Sequence, residues 1–99
     1  MERSIIAELV LSPYTSDVSI SKPLKEAINI LRKIPGLDLQ THAMGTNISC
    51  HDLDTLFNAI KQCHNYLIEH YPRVVTTIKI DDRKDKPART MQDKINAVT

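Results

Sequence analysis

Two Cys-His dipeptides, Cys50-His51 and Cys63-His64, are spaced as C-H-x11-C-H and invite a metal reading. Geometry argues against it. On one helix, at about 100° per residue and about 1.5 Å rise, His51 and His64 would stand roughly 140° apart and about 20 Å along the axis. One zinc ion cannot be held by both, so no metal site is expected. His64 falls on an apolar helical face and reads as a hydrogen-bonded core or rim histidine. His70 sits near a helix C-terminus, where a cationic ring is favourable. His42 lies on a strand, where a binding role is open to it. The run Asp81, Asp82, Asp85 has the ligand type for a hard cation. Arg83, Lys84 and Lys86 among those acids partly cancel the charge, so a solvated loop is the default.

No nucleophile elbow, P-loop or dinucleotide fingerprint is present, and two glycines leave little backbone for a phosphate cradle. No catalytic residue is assigned and no enzyme is expected. The serines between Ser12 and Ser21 read as turn and cap supply.

The elements that position these residues follow from periodicity. A chain of 99 residues reads as one domain over 1–99. A net charge of +1 argues against a nucleic-acid module held by phosphate neutralisation. No apolar run is long enough to span a bilayer, and the start MERSIIAELVL is not a signal peptide. Two cysteines do not make a disulfide scaffold, so a cytoplasmic protein with reduced thiols is expected.

Ile5 to Leu11 alternates as a first strand, with Ile5, Ala7, Leu9 and Leu11 toward a core. Ser21 is a candidate N-cap with Pro23 in the first turn. Leu24, Ala27, Ile28, Leu31 and Ile34 then recur at helical spacing until Pro35-Gly36. Leu37 to Met44 and Thr46 to Cys50 read as a hairpin with Gly45 in the turn. Leu53, Leu56, Phe57, Ile60, His64, Leu67, Ile68 and Tyr71 trace a long amphipathic helix, with Asp52 and Asp54 at its positive end. Val74 to Ile80 is an edge strand, and 90–98 a short closing helix. The order β-α-β-β-α-β-(α) predicts an α+β, ferredoxin-like antiparallel sheet with both main helices on one face.

The other sheet face would be bare in a monomer. It would carry Ile6, Glu8 and Val10 from the first strand and Val75, Thr77 and Lys79 from the last. The hairpin would add either His42 and Met44 or Thr41 and Ala43, according to register. Ile6, Val10, Val75 and Met44 would form an apolar patch of the kind that marks an interface, so self-association through the sheet is expected. Glu8 and Lys79 read first as a cross-strand ion pair and second as a ligand carboxylate with its neighbour.

Several segments together resemble a known family. AELVLSP (Ala7 to Pro13), HAMGT (His42 to Thr46), DLDTLFNAI (Asp52 to Ile60), TTIKIDDRKD (Thr76 to Asp85) and QDKINAV (Gln92 to Val98) are similar to the small single-domain thiamine-binding family related to YkoF. The most specific parts are A-E-L-x-x-x-P, M-G-T and T-x-K-I-D-D-R. The resemblance implies a ferredoxin-like fold, homotetramers built as dimers of dimers by sheet packing, and binding of thiamine or its hydroxymethylpyrimidine part without catalysis. It matches Glu8 to the family's first-strand glutamate, Met44-Gly45-Thr46 to its hairpin turn, and Lys79 and Asp81 to the end of its last strand. One departure stands out: where the family often has P-x-G-T, Pro13 is followed by Tyr14, Thr15 and Ser16.

The expectation is therefore a non-enzymatic binder of thiamine or a related pyrimidine, with no resident cofactor. Its candidate ligand residues are Glu8, Met44, Thr46, Asn47, Thr77 and Lys79. Its expected partners are itself and the small molecule, not nucleic acid or membrane. A structural or regulatory oligomer without a small-molecule ligand is the alternative.

Overall fold

The computed structural model describes residues 3–99. The elements are β1 (Ser4–Pro13), α1 (Ser21–Arg32), β2 (Asp38–His42), β3 (Gly45–Cys50), α2 (Leu53–His70), β4 (Val74–Arg83) and α3 (Met91–Val98). The four strands form one antiparallel sheet in the order β2-β3-β1-β4, which makes this a ferredoxin-like α+β fold. β4 is an edge strand, as its half-apolar outer positions imply.

The core lies between the sheet and α1 with α2. Ile5, Ala7, Leu9 and Leu11 of β1 and Ile48 and Cys50 of β3 are buried against Ala27 and Leu31 of α1 and Leu56, Ala59, Cys63 and Leu67 of α2. The period of two along β1 and the i, i+3, i+4 spacing along α2 produce this layer. Burial raises the Cys63 thiol to about 11, and its Sγ–H donates to the Ala27 carbonyl at 3.4 Å. Both cysteines are free and buried, a setting in which a thiol is unreactive.

Helix starts follow ordinary capping chemistry in two cases of three. Asp52 caps α2 by accepting the Thr55 backbone N–H at 2.7 Å. Thr90 and Asp93 form a reciprocal capping box on α3. At α1 the expected cap moves by one residue: Ser21 is the first helical residue, and Ile20 stands at the cap without a side-chain bond. The Ser19 hydroxyl accepts the Ser21 N–H instead, so local serine chemistry is kept but shifted. Gly36, with φ +86°, lets the chain leave α1 toward β2.

Strand boundaries also differ from expectation: β1 runs from Ser4 to Pro13 rather than from Ile5 to Leu11, and β2 spans Asp38–His42 rather than Leu37 to Met44. β4 continues through Asp81 and Asp82 to Arg83, because β1 pairs with it as far as Ser4–Arg83. The acidic run is therefore strand in its first half rather than loop. In the hairpin, His42 pairs with Gly45, so Ala43 and Met44 are the turn and Gly45 opens β3.

The second sheet face is less bare than parity alone suggests. α3 stands over one end of it, where Met91, Lys94 and Ile95 face Ile6, Gln40 and Asn47. Lys94 Nζ hydrogen-bonds Asp81, and the Ser4 hydroxyl bonds both the N–H and the carbonyl of Arg89. The apolar patch is thereby divided. Ile6 lies under α3, the Glu8–Lys79 pair follows, and Val10 and Val75 lie beyond it.

Candidate functional site

The register places the candidate residues. On the second face, Gln40, Asn47, Glu8 and Lys79 form one row across all four strands, through the pairs Gln40–Asn47, Glu8–Asn47 and Glu8–Lys79. The next row runs His42, Gly45, Val10, Thr77. The Asn47 amide donates to Gln40 Oε1 at 3.3 Å. Glu8 and Lys79 are in register, but among the described residues the ionic contact of Glu8 runs the other way, to His42 Nε2 at 3.5 Å. The expected cross-strand pair is replaced by a carboxylate–imidazole contact.

Thr46 is not on this face. It pairs with Leu9 and points toward the helices with only 6% of its surface exposed. Met44, 80% exposed, sits at the hairpin tip. The six candidates are thus brought together as a group of four, Glu8, Asn47, Thr77 and Lys79, and a separate pair, Met44 and Thr46. Strand parity could have separated Thr46 from Asn47, since adjacent strand residues face opposite ways.

Met44 and Thr46 belong to a cleft of about 330 Å³ at the end of the sheet. Its origin is a mismatch in strand length. β3 begins at Gly45, and the last β1–β3 pair is Leu9–Thr46, while β1 runs on to Pro13 beside β4. The β3-side edge of residues 10–12 therefore has no β3 partner, and a notch opens between it and the hairpin tip. Leu24, Ile28 and Leu31 of α1 close one wall and the hairpin residues 41–46 the other, with Ser12 and His42 at the polar positions. A concave, mostly apolar site with a few hydroxyls, an imidazole and strand-edge amides suits a small planar heterocycle. The sequence singled out the hairpin but missed Ser12 and α1. The amphipathic stripe of α1 was visible, but the strand-length mismatch that exposes it arises only on pairing.

Tyr14, where the family pattern is broken, turns away from this cleft. Its N–H donates to the Arg73 carbonyl at 2.7 Å, and the Arg73 guanidinium lies 4.6 Å over its ring. It lines a shallow hollow with His70 and Tyr71 instead.

The other chemistry-bearing residues have structural partners. His64 Nδ1 meets the Thr76 hydroxyl at 2.7 Å, and His70 Nδ1 meets the Tyr66 carbonyl at 2.7 Å. His51 precedes α2 rather than lying on it and contacts the Arg3 carbonyl at 2.9 Å. Each acid of the charge run faces a base: Asp81 Lys94, Asp82 Arg3, and Asp85 Arg83. The Arg83 side chain holds Asp85 down to about 2. Among the described residues no group of three His, Cys, Asp or Glu side chains could hold a metal ion, and no helix is long and apolar enough to cross a membrane.

Comparisons with known proteins show the family and the fold. A family model described as thiamine-binding protein matches residues 7–99. The UPF0045 protein MJ1052 of Methanocaldococcus jannaschii is 38% identical over 96 residues, covering 97% of this chain and 93% of the relative. A UPF0045 protein of Methanothermobacter thermautotrophicus is 36% identical, with 95% of each chain covered. These relatives are named by family designation and not as enzymes. The crystal structure of the hypothetical protein MJ1052 superposes with a TM-score of 0.87 at 37% identity, covering 96% of this chain and 95% of that one. A Thermotoga maritima protein with a proposed role in thiamine biosynthesis or salvage matches with a TM-score of 0.79 over 97% of this chain and 99% of its own. At 17% identity that likeness speaks to the fold alone.

Proposed function

The chain belongs to the thiamine-binding protein family, and on that premise we propose that it is a non-enzymatic cytoplasmic binder of thiamine or a related hydroxymethylpyrimidine. The observation that carries this reading is convergence. The end of A-E-L-V-L-S-P and the H-A-M-G-T hairpin, far apart in sequence, both line the same 330 Å³ cleft. Pyrimidine nitrogens and an exocyclic amine need donors and acceptors, and Ser12, Thr41, Thr46 and the open edge of β1 offer both. Leu24, Ile28 and Met44 provide apolar walls for the ring faces. Glu8, the candidate carboxylate, does not line the cleft but lies on the neighbouring sheet face with Asn47, Thr77 and Lys79.

The same face supports self-association as a dimer of dimers, since Val75 is 39% exposed on an edge strand beside half-buried Val10.

Titration calorimetry with thiamine and with hydroxymethylpyrimidine tests the ligand. Saturable heat with both, and a raised Tm, is expected. No heat and no thermal shift at millimolar ligand would remove the reading and leave an oligomer without a small-molecule ligand. Light scattering at micromolar protein tests assembly, and a monomer would remove the tetramer.

A further inference from the structure

We propose that His42 is a positioning residue that carries the influence of Glu8 through the sheet to the cleft, so that Glu8 acts on the ligand by way of the hairpin turn. The proposal rests on the cleft being the ligand site. Glu8 itself does not line the cleft; His42 and Met44 do.

Two contacts and one small residue build the connection. The Met44 backbone N–H donates to His42 Nδ1 at 3.3 Å and so clasps the turn. With Nδ1 accepting, the neutral ring must carry its proton on Nε2. That nitrogen faces Glu8 Oε2 at 3.5 Å, and a carboxylate there favours the same tautomer.

The third element is Gly45. His42 ends β2 and Glu8 lies on β1, so the ring must reach across β3, and Gly45 is the β3 residue in its path. A Cβ at position 45 would lie 3.5 Å from His42 Cε1, 3.2 Å from Val10 Cγ2 and 3.0 Å from the Leu9 carbonyl oxygen. The tight contacts are those with the Leu9 carbonyl and Val10, so a side chain here would press on β1, whereas the His42 ring would meet it at ordinary contact distance. The glycine of M-G-T thus answers to the close approach of β1 beneath the ring rather than to a positive φ. The charged groups on this part of the face are Glu8 and its in-register neighbour Lys79; the α1 side of the cleft presents Leu24 and Ile28.

Two measurements test the proposal, and the first needs no ligand. Long-range proton–nitrogen NMR spectra of the free protein at neutral pH should show His42 as the Nε2–H tautomer, with the Met44 amide resonance displaced in Glu8→Gln. An Nδ1–H tautomer, or a Met44 amide unmoved by Glu8→Gln, overturns the connection. The second is a double-mutant cycle read by calorimetry with thiamine. Glu8→Gln should weaken binding about two- to fivefold, the scale of a partly exposed ion contact. In His42→Asn the shorter side chain can still accept the Met44 N–H as an Asx turn but cannot reach Glu8. His42→Asn should therefore weaken binding at least as much as Glu8→Gln does, since it removes the cleft imidazole as well as the link, and Glu8→Gln should add no further loss in that background. An equal loss in both backgrounds means that Glu8 meets the ligand directly and overturns the positioning role. Wild-type protein that binds no thiamine removes the functional reading instead, and the tautomer and the Met44 amide still decide whether the connection exists.

Discussion

The two faces of the sheet come from the same strands and do opposite work. On the helix side, Ile5, Leu9, Ile48 and their partners on α1 and α2 are buried and apolar. One residue away along each strand, Ile6, Glu8, Val10 and Asn47 are half-exposed and mixed in character. The first face is closed by the chain itself. The second is closed by α3 at one end only, and at the other it adjoins the cleft. Stability is thus concentrated on the closed face, whereas the proposed cleft lies at the end of the sheet, and substitutions should separate the two.

The largest effect is expected on the closed face. Leu56→Ala removes a fully buried side chain and should cost about 2–5 kcal/mol in urea unfolding. A loss under about 1 kcal/mol would mean that this core is slack and the contrast between faces is weak. Gly45→Ala comes next, because it forces the Leu9 carbonyl and Val10 to give way; overpacking of this kind costs about 1–3 kcal/mol. It should also weaken thiamine binding, and an unchanged affinity would detach the hairpin from the site.

A smaller effect concerns acid. The Thr55 backbone N–H, then its hydroxyl, hold the Asp52 carboxyl below the ordinary carboxylate range. A depressed folded-state value means stability that is present above the unfolded value of about 3.9 and lost as pH falls through the folded one. Asp52→Asn keeps a good cap and should flatten the thermal-melt pH dependence below about pH 4; an unchanged acid limb would assign it elsewhere. The smallest change in stability is expected on the open face. Val75→Glu should alter unfolding by no more than about 0.5 kcal/mol while reducing self-association in light scattering. A large loss of stability would show that this face is part of the core after all.

How much was legible beforehand differs between fold and site. The order of elements, the α2 stripe, the inward set of β1 and the edge position of β4 were all readable, because each depends on a local period of two or 3.6 residues. The α1 cap was misplaced by one residue because Ser19 and Ser21 are both plausible caps by type. The β4 end was cut short because Asp81 and Asp82 read as loop, whereas their ladder partners Ile6 and Ile5 keep them in the strand. For the site, residue types were legible and groupings were not. Thr46 and Asn47 are neighbours in sequence and face opposite sides, and Glu8 finds His42 rather than Lys79.

By itself, then, the sequence determined the alternation and helical periodicity that build a ferredoxin-like sheet with one apolar face, and it carried the motifs of the family. Tertiary structure alone decided that β1 outruns β3 and so opens a cleft, that α3 stands over one end of the second face, and that an imidazole crosses Gly45 to a carboxylate two strands away. The reason is physical. Periodicity is a property of neighbouring residues, whereas strand register and side-chain reach depend on segments tens of positions apart being held at fixed spacing.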